Sequence, residues 1–445
     1  MKSEIITIEH FHASKLNNER NIYVYLPPSY HTNQCKRYPV LYMHDGQYAF
    51  EKSENTGGSW NAGGVVDRLI KEGKMQEIII VAVPNRGSER GSEYAHEPIS
   101  ITRDLNMECR GLLYEDFIVY DLKPYIDMHF RTLSDRENTA LMGSSMGGLV
   151  TYNIGFRNPH IFGKLAMLSP FLASVDRHTM KKTPNYKLFS GENPLKLWLD
   201  IGEYEGFILA DHVLDFADAM IRRGLVPGKS MAFYHVPEAA HFEADWAERL
   251  HAPFIFFFGD IGRKKSVKLL GRKTAGLAGM ITRINTVVEY DSGFIMSDLN
   301  GSYVSSDPSV LEVKPDGALM PKKEGSAKIT YRSDGIETSA EYTVVPELSD
   351  MVEISVTAKV PENTEESEPV TMNEFRLHKV KTGLYAGKFV IPRDSAFAFK
   401  FAQGDSFVNP VVEQDSFHQD IPYRRFKAAE NMNLHYIVES WKGKI

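Results

Sequence analysis

Two cysteines are all that 445 residues contain. Cys35 and Cys109 cannot build a disulfide framework, and such sparse thiol usage suits a reducing compartment. No run of 18 consecutive apolar residues occurs, and the longest apolar patch, Phe254 to Phe258, is far too short for a membrane-spanning helix. The opening Met1-Lys2-Ser3-Glu4 has no basic stretch leading into an apolar core, so no secretory signal peptide is expected and the expected location is cytoplasmic. A basic excess is missing too. The formal net charge is −7, which leaves no global field to hold nucleic acid or an anionic membrane. What remains is 42% hydrophobic and 24% charged residues, which excludes wholesale disorder. At roughly 100–200 residues per domain, the length predicts two to four domains.

From Met1 to about Asp260, short apolar runs alternate with amphipathic segments. Strand candidates are Asn21–Leu26, Pro39–Met43, Ile78–Val83, Thr139–Met142, Leu165–Ser169, Leu195–Ile201 and Ser230–Val236. Several are continuous hydrophobic runs, as in strands covered on both faces. Tyr114–Phe130 places Phe117, Ile118, Leu122, Tyr125, Ile126 and Phe130 on one helical face, with Pro124 expected to strain or kink it. Phe207–Arg223 and Phe242–Phe257 also read as helices. The alternation predicts an α/β fold with a mostly parallel central sheet.

After Gly259 the pattern changes. Lys264, Lys265, Lys268, Arg272 and Lys273 form a basic stretch of low periodicity, read as a solvated linker over 261–284. A nucleic-acid arm is disfavoured because no aromatics are interleaved. From about Asn285, short strands alternate with turns such as Pro315-Asp316-Gly317 and Ser333-Asp334-Gly335, the spacing of a β-sandwich. A second boundary falls at Pro346 to Asp350. The expected organisation is an α/β domain over 1–260, then two small all-β sandwich domains over 285–346 and 347–445.

The informative segment is Thr139 to Val150, which contains Gly-x-Ser-x-Gly as Gly143, Ser145 and Gly147. A nucleophilic serine on a strained strand-to-helix turn requires small residues two positions to either side. By chance the bare pattern arises roughly 0.2 times in a chain of this length. Its specificity comes from context, an apolar strand before and a helical stretch after. The amide of Met146, at the start of that helix, is a candidate oxyanion donor. The loop Met43-His44-Asp45-Gly46-Gln47 follows an early strand and offers the amide of Gln47 as the second. A serine base must come later in the chain, and His241 follows the last strand candidate of the α/β region. His160, His178, His212, His235 and His251 fall in less suitable places. The acid belongs after Leu195–Ile201, where Glu205 is favoured and Asp200 is the rival. Arg86, Arg90 and Trp60, the last in the 56–64 loop, are candidates for contact with substrate. No His-Glu-x-x-His and no phosphate-binding loop is present, so neither metal nor nucleotide cofactor is implied.

Longer matches extend these motifs: Val24 to Tyr30, Tyr38 to Gly46, Asn85-Arg86 with Glu93-Tyr94, Phe117 to Asp127, Gly143 to Gly148, Ser169-Pro170-Phe171, and His241 with Trp246 and Arg249-Leu250. In them the chain resembles the α/β-hydrolase branch of enterochelin-esterase-like enzymes, feruloyl and acetyl xylan esterases, and esterase D. The resemblance covers nearly all of Met1 to Phe258. It implies a three-layer hydrolase fold, a Ser145–His241–Glu205 triad, and ester hydrolysis through an acyl-enzyme. Implied substrates are acetylated or feruloylated carbohydrate, or another small ester. A siderophore ester is the alternative, with Arg86 and Arg90 facing its anionic groups. Val310–Val345 resembles a bacterial Ig-like domain. Phe399 to Gly404 and Ile421 to Arg425 resemble a starch-binding-type sandwich, although Val411-Val412-Glu413 lacks its stacking tryptophan. Phe407, Phe417 and Trp441 are the remaining aromatic candidates there, and a structural or homodimer-forming role is the counterpart to glycan binding. The reading from another class is a catalytically idle glycan-binding or scaffolding protein.

Overall fold

A computed structural model describes residues 2–51, 58–104, 106–176, 179, 181–207, 210–404 and 411–442. Its largest element is an eleven-stranded sheet. In chain order the strands are β1 (Glu4–Ala13), β2 (Asn18–Leu26), β3 (Val40–His44), β4 (Ile79–Val83), β5 (Thr139–Ser144) and β6 (Lys164–Leu168). They continue with β7 (Lys196–Gly202), β8 (Met231–Val236), β9 (Lys264–Leu270), β10 (Asn285–Tyr290) and β11 (Ile295–Ser297). Across the sheet the order is β1-β2-β4-β3-β5-β6-β7-β8-β11-β10-β9.

From β4 to β8 neighbouring strands are parallel. This central part matches the continuous apolar runs of the sequence, and β3, β4 and β6 are buried at every position. Both flanks are antiparallel, β1 and β2 on one side and β11, β10 and β9 on the other. The sheet is therefore mixed rather than mostly parallel. Short connections permit hairpins on the flanks, whereas the parallel centre needs crossovers that carry helices. β1 has no counterpart among the sequence candidates, because most of its positions are exposed and its alternation is weak.

Residues 261–284 are not a solvated linker. β9 and the strand Thr274–Gly279 occupy most of that span. Four of the five cations named in it are partnered: Lys264 lies 3.3 Å from Asp334 and Lys265 3.8 Å from Glu289. Arg272 bonds both oxygens of Asp394 at 2.8 and 2.6 Å, and Lys273 lies over the Tyr342 ring at 4.7 Å. A surface strand with charged faces has too little apolar contrast to register as a strand by pattern. The sheet also continues past 260. Val287, Val288, Phe294 and Met296 enter the same core as Trp198 and the aromatic helix His251–Phe258. The Phe294 ring sits 6.0 Å from Trp198 and 5.7 Å from Phe256.

The helical expectations hold with two revisions. Over 111–129 the helix passes through a π-helical turn, Phe117–Leu122, into Lys123–His129. Pro124 cannot donate a hydrogen bond, and the wider turn ahead of it accommodates that loss. The segment expected as one helix from Phe242 is two, Glu243–Arg249 and His251–Phe258, with Pro253 in the first turn of the second, where a missing N–H is tolerated.

A four-stranded sheet contains Thr274–Gly279, Ile336–Leu348, Gly325–Ser333 and Ser302–Ser305. Beyond it lies an eight-stranded sheet that starts at Met351–Lys359 and ends at Ser440–Trp441. Its core is aromatic, with Phe375, Phe397, Phe399, Phe401, Phe426 and Trp441. Among the described residues no helix is long and apolar enough to cross a membrane.

The shared core makes a testable statement. Phe294→Ala removes a fully buried ring between Trp198 and Phe256, and should cost about 3–5 kcal/mol in urea denaturation. A loss below about 1 kcal/mol would show that β10 and β11 are appended to the α/β core rather than part of it.

Candidate active site

Ser145 stands between β5 and the helix Met146–Arg157. Its backbone is at φ 57°, ψ −123°, a region that a side-chain-bearing residue occupies only under constraint. The constraint is visible in its bonds. Its N–H donates to Leu168 O at 3.0 Å, and its carbonyl accepts from Gly148 N and Phe171 N, both at 3.0 Å. The glycines make the turn sterically feasible. A Cβ on Gly143 would lie 2.5 Å from the Gly147 carbonyl, and one on Gly148 would lie 2.8 Å from the Pro170 side chain.

Neighbouring strand ends supply the other groups. β6, β7 and β8 run parallel beside β5, so the segments after them emerge at the same edge, where α/β sheets place their sites. Ser169 follows β6, Glu205 follows β7 and His241 follows β8. His241 Nδ1 lies 2.9 Å from Glu205 Oε2. A carboxylate only accepts, so Nδ1 carries the proton and Nε2 is left as the basic nitrogen. The imidazole side chain is 30% exposed, while that of Glu205 is fully buried. Glu205 Oε1 accepts from Ser169 Oγ at 2.5 Å and from Gly202 N at 2.6 Å. Burial works to raise the Glu205 carboxyl, but His241, Arg249 and Ser169 overcome it and hold the group below its ordinary value.

The rival acid Asp200 is committed elsewhere. It accepts from Arg249 Nε at 3.1 Å and Nη2 at 2.9 Å, from Trp198 Nε1 at 2.7 Å and from Ser169 N at 3.1 Å. Arg249 itself is 3% exposed and also donates to Ser169 Oγ at 2.8 Å. Trp246 Nε1 donates to the same hydroxyl at 3.0 Å, and the Trp246 ring meets His241 edge to face at 4.9 Å. Sequence reasoning assigned no role to Ser169, Trp246 or Arg249. All three stand in the motif matches, but nothing in a sequence marks an arginine or serine as buried.

The loop after β3 approaches from the other side. Asp45 adopts φ 56°, and a Cβ on Gly46 would lie 2.3 Å from Val83 N, so the turn packs directly on the end of β4. Asp45 receives Arg90 at 2.7 and 2.8 Å and Asn85 Nδ2 at 2.7 Å. The Gln47 side chain accepts from Asn85 N at 3.0 Å, which fixes the residue whose amide is the candidate oxyanion donor. His44 beneath the turn bonds Tyr114 Oη at 2.9 Å, and burial lowers its pKa to about 4.

Two of the substrate-contact candidates are placed differently from expectation. Trp60 is 1% exposed and packs against Trp246 at 5.4 Å, so it supports the ring beneath His241 from within the core. Arg86 is exposed and donates to Glu19 O at 2.6 Å, at the start of β2. Arg90 is neutralised by Asp45. Among the rival histidines, His212 is buried in a helix, His251 bonds Glu248 O and His160 is exposed, while His178 lies outside the described residues. In the C-terminal region Glu413 is fully buried against Arg424, and Trp441 is buried with its Nε1 on Thr364 Oγ1. Phe417 is 80% exposed, and Phe407 lies outside the described residues.

A family model described as "Putative esterase" matches residues 13–257, more than half the chain. An endo-1,4-beta-xylanase/feruloyl esterase of Xylanibacter ruminicola is 33% identical over 153 residues, 33% of this chain and 19% of that protein. The chain thus spans about a fifth of that relative's length. Among solved structures, a ferulic acid esterase from Anaeromyces mucronatus in complex with ferulic acid overlaps at TM-score 0.44 and 21% identity, over 58% of this chain and 92% of that one. The enterobactin esterase from Shigella flexneri, in the presence of enterobactin, overlaps at TM-score 0.43 and 14% identity, over 58% of each chain.

The Glu205 carboxyl yields a signed pH prediction. Its folded-state pKa is depressed, so its stabilising contribution is complete above the ordinary value of 4.5 and fades as pH falls through the folded value. The gap in urea midpoint between the parent and Glu205→Gln should be constant near neutrality and shrink below about pH 4.5. A gap that widens on acidification would contradict the depressed value.

Proposed function

The chain belongs to the esterase family matched over residues 13–257, and from that premise we propose that it is a serine carboxylester hydrolase acting through an acyl-enzyme. The observation that carries this reading is the 2.9 Å His241–Glu205 contact at the sheet edge where strained Ser145 stands. In this mechanism His241 Nε2 takes the Ser145 hydroxyl proton as Oγ attacks the ester carbonyl. Negative charge gathers on the former carbonyl oxygen, facing the amides of Met146 and Gln47. The tetrahedral adduct collapses, the C–O bond to the alcohol breaks, and the alcohol leaves with the proton from His241. Water then loses a proton to His241 and attacks the acyl carbon. Collapse returns the proton to Ser145 Oγ and releases the acid. Glu205 stays ionised throughout, orienting the imidazole and balancing its transient positive charge.

For substrate, we favour acylated carbohydrate, acetyl or feruloyl, or another small ester. The similarity to a feruloyl esterase supports this. The siderophore alternative relies on cations near the site, and Arg90 is already paired with Asp45 while Arg86 lies 3.6 Å from Glu89. A highly anionic substrate therefore gains little from either.

Ser145→Ala should lower hydrolysis of p-nitrophenyl acetate at least about 1,000-fold while leaving the circular dichroism spectrum unchanged. A fluorophosphonate probe should label the parent at Ser145. Undiminished turnover in the variant would overturn the assignment, and no labelling of the parent would favour a catalytically idle binding protein. On a panel of acetylated and feruloylated oligosaccharides beside a catecholate trilactone, turnover of the trilactone alone would reverse the substrate ranking.

A further inference from the structure

The loop that carries Glu205 is held by a part of the chain nearly two hundred residues away. Glu205 forms an antiparallel bridge with Phe397, in the strand Ala396–Phe399 of the C-terminal β region. Gly206 N donates to Ala396 O at 2.9 Å, and Ala398 N donates to Tyr204 O at 3.3 Å. Gly206 sits at φ +70°, and a Cβ there would meet the Phe397 ring at 3.1 Å. Phe207, next in the loop, leaves the α/β core altogether. It is 8% exposed within the C-terminal aromatic core, 5.6 Å from Phe375 and 5.2 Å from Phe397.

The His241 loop is gripped by the same region. Arg425 donates to Glu238 O at 2.6 Å and its guanidinium lies over Tyr204 at 5.4 Å, so one side chain touches both loops. Lys427 bonds Glu203 Oε1 at 2.6 Å, while Glu203 Oε2 accepts from Glu238 N at 3.1 Å. The Tyr423 ring lies 4.0 Å from that of Phe242, the residue after His241. Every one of these contacts falls within three residues of Glu205 or His241. Two exposed loops would otherwise have to hold a single hydrogen bond against their own conformational entropy.

We propose that the C-terminal β region is a positioning element of the active site, holding the Glu205 and His241 loops in register through Phe207, Phe397 and Arg425. The inference rests on the serine-hydrolase reading above and adds residues outside the matched family segment to the machinery. They touch no substrate and act through Glu205 and His241. A displacement of about 1 Å between catalytic groups can cost about 100-fold in rate. Releasing either loop should therefore lower kcat more than it changes KM.

The test uses the full-length chain and p-nitrophenyl acetate. Phe207→Ala and the double variant Tyr423→Ala/Arg425→Ala should each lower kcat by about 10–100-fold with KM within about threefold of the parent. Phe207→Leu, which keeps an apolar anchor, should recover most of the loss. The deciding readout is a double-mutant cycle. In a Glu205→Gln background Phe207→Ala should cost less than about threefold, because a group that acts through Glu205 has little left to lose. Equal fold-losses in both backgrounds would overturn the proposal, as would folded variants within twofold of the parent. If Phe207→Ala fails to fold by circular dichroism, the Tyr423/Arg425 pair decides, since Tyr423 is 46% and the Arg425 side chain 42% exposed. Ser145→Ala run alongside separates the two levels. Its survival as an active enzyme removes the hydrolase reading, whereas its inactivity beside fully active loop variants removes only the positioning role.

Discussion

Arg249 is a guanidinium with almost no access to water, held between two buried carboxylates. It bonds Asp200 through two nitrogens and lies 3.5 Å from Glu205. Removing such a cation would leave buried negative charge uncompensated, a loss of several kcal/mol. The arrangement also divides labour between the acids. Asp200 spends its acceptor capacity on Arg249, Trp198 and a backbone amide, while Glu205 keeps one oxygen for His241. Ser169 joins the halves by accepting from Arg249 and Trp246 and donating to Glu205. The histidine is thus oriented by a network that reaches into three adjacent strand ends.

Ser145, the nucleophile we propose, is held differently, through backbone strain rather than charge. Ser145 keeps a costly conformation because adjacent strands and a helix start bond its amide and carbonyl. The opposing loop repeats the device at Asp45, pinned by Arg90 and pressed onto β4 through Gly46. Rigid, desolvated supports on both sides suit a site that must stabilise charge without reorganising.

Beyond residue 260 the molecule is not simply appended. β10 and β11 complete the central sheet, and the C-terminal strand Ala396–Phe399 pairs with the acid loop. A division at the end of the matched family segment would cut through a shared aromatic core around Phe294 and expose Phe207. Trp441, a candidate for sugar contact by resemblance, is buried and bonded inside that region, as is Glu413.

The sequence by itself determined the parallel centre of the sheet, because strands buried on both faces must be continuous apolar runs. It also marked the tight turn at Ser145, where a Cβ on Gly143 would run into the Gly147 backbone. Glu205 is favoured over Asp200 from its place after a strand, but a sequence does not show which carboxylate Arg249 occupies. That is decided by burial, which a sequence does not display. The charged strand β9, the packing of Trp60 against Trp246, and the pairing of Glu205 with Phe397 were beyond its reach for a related reason. Each depends on contacts between residues distant in the chain, where local pattern is weak and only the folded core decides what meets.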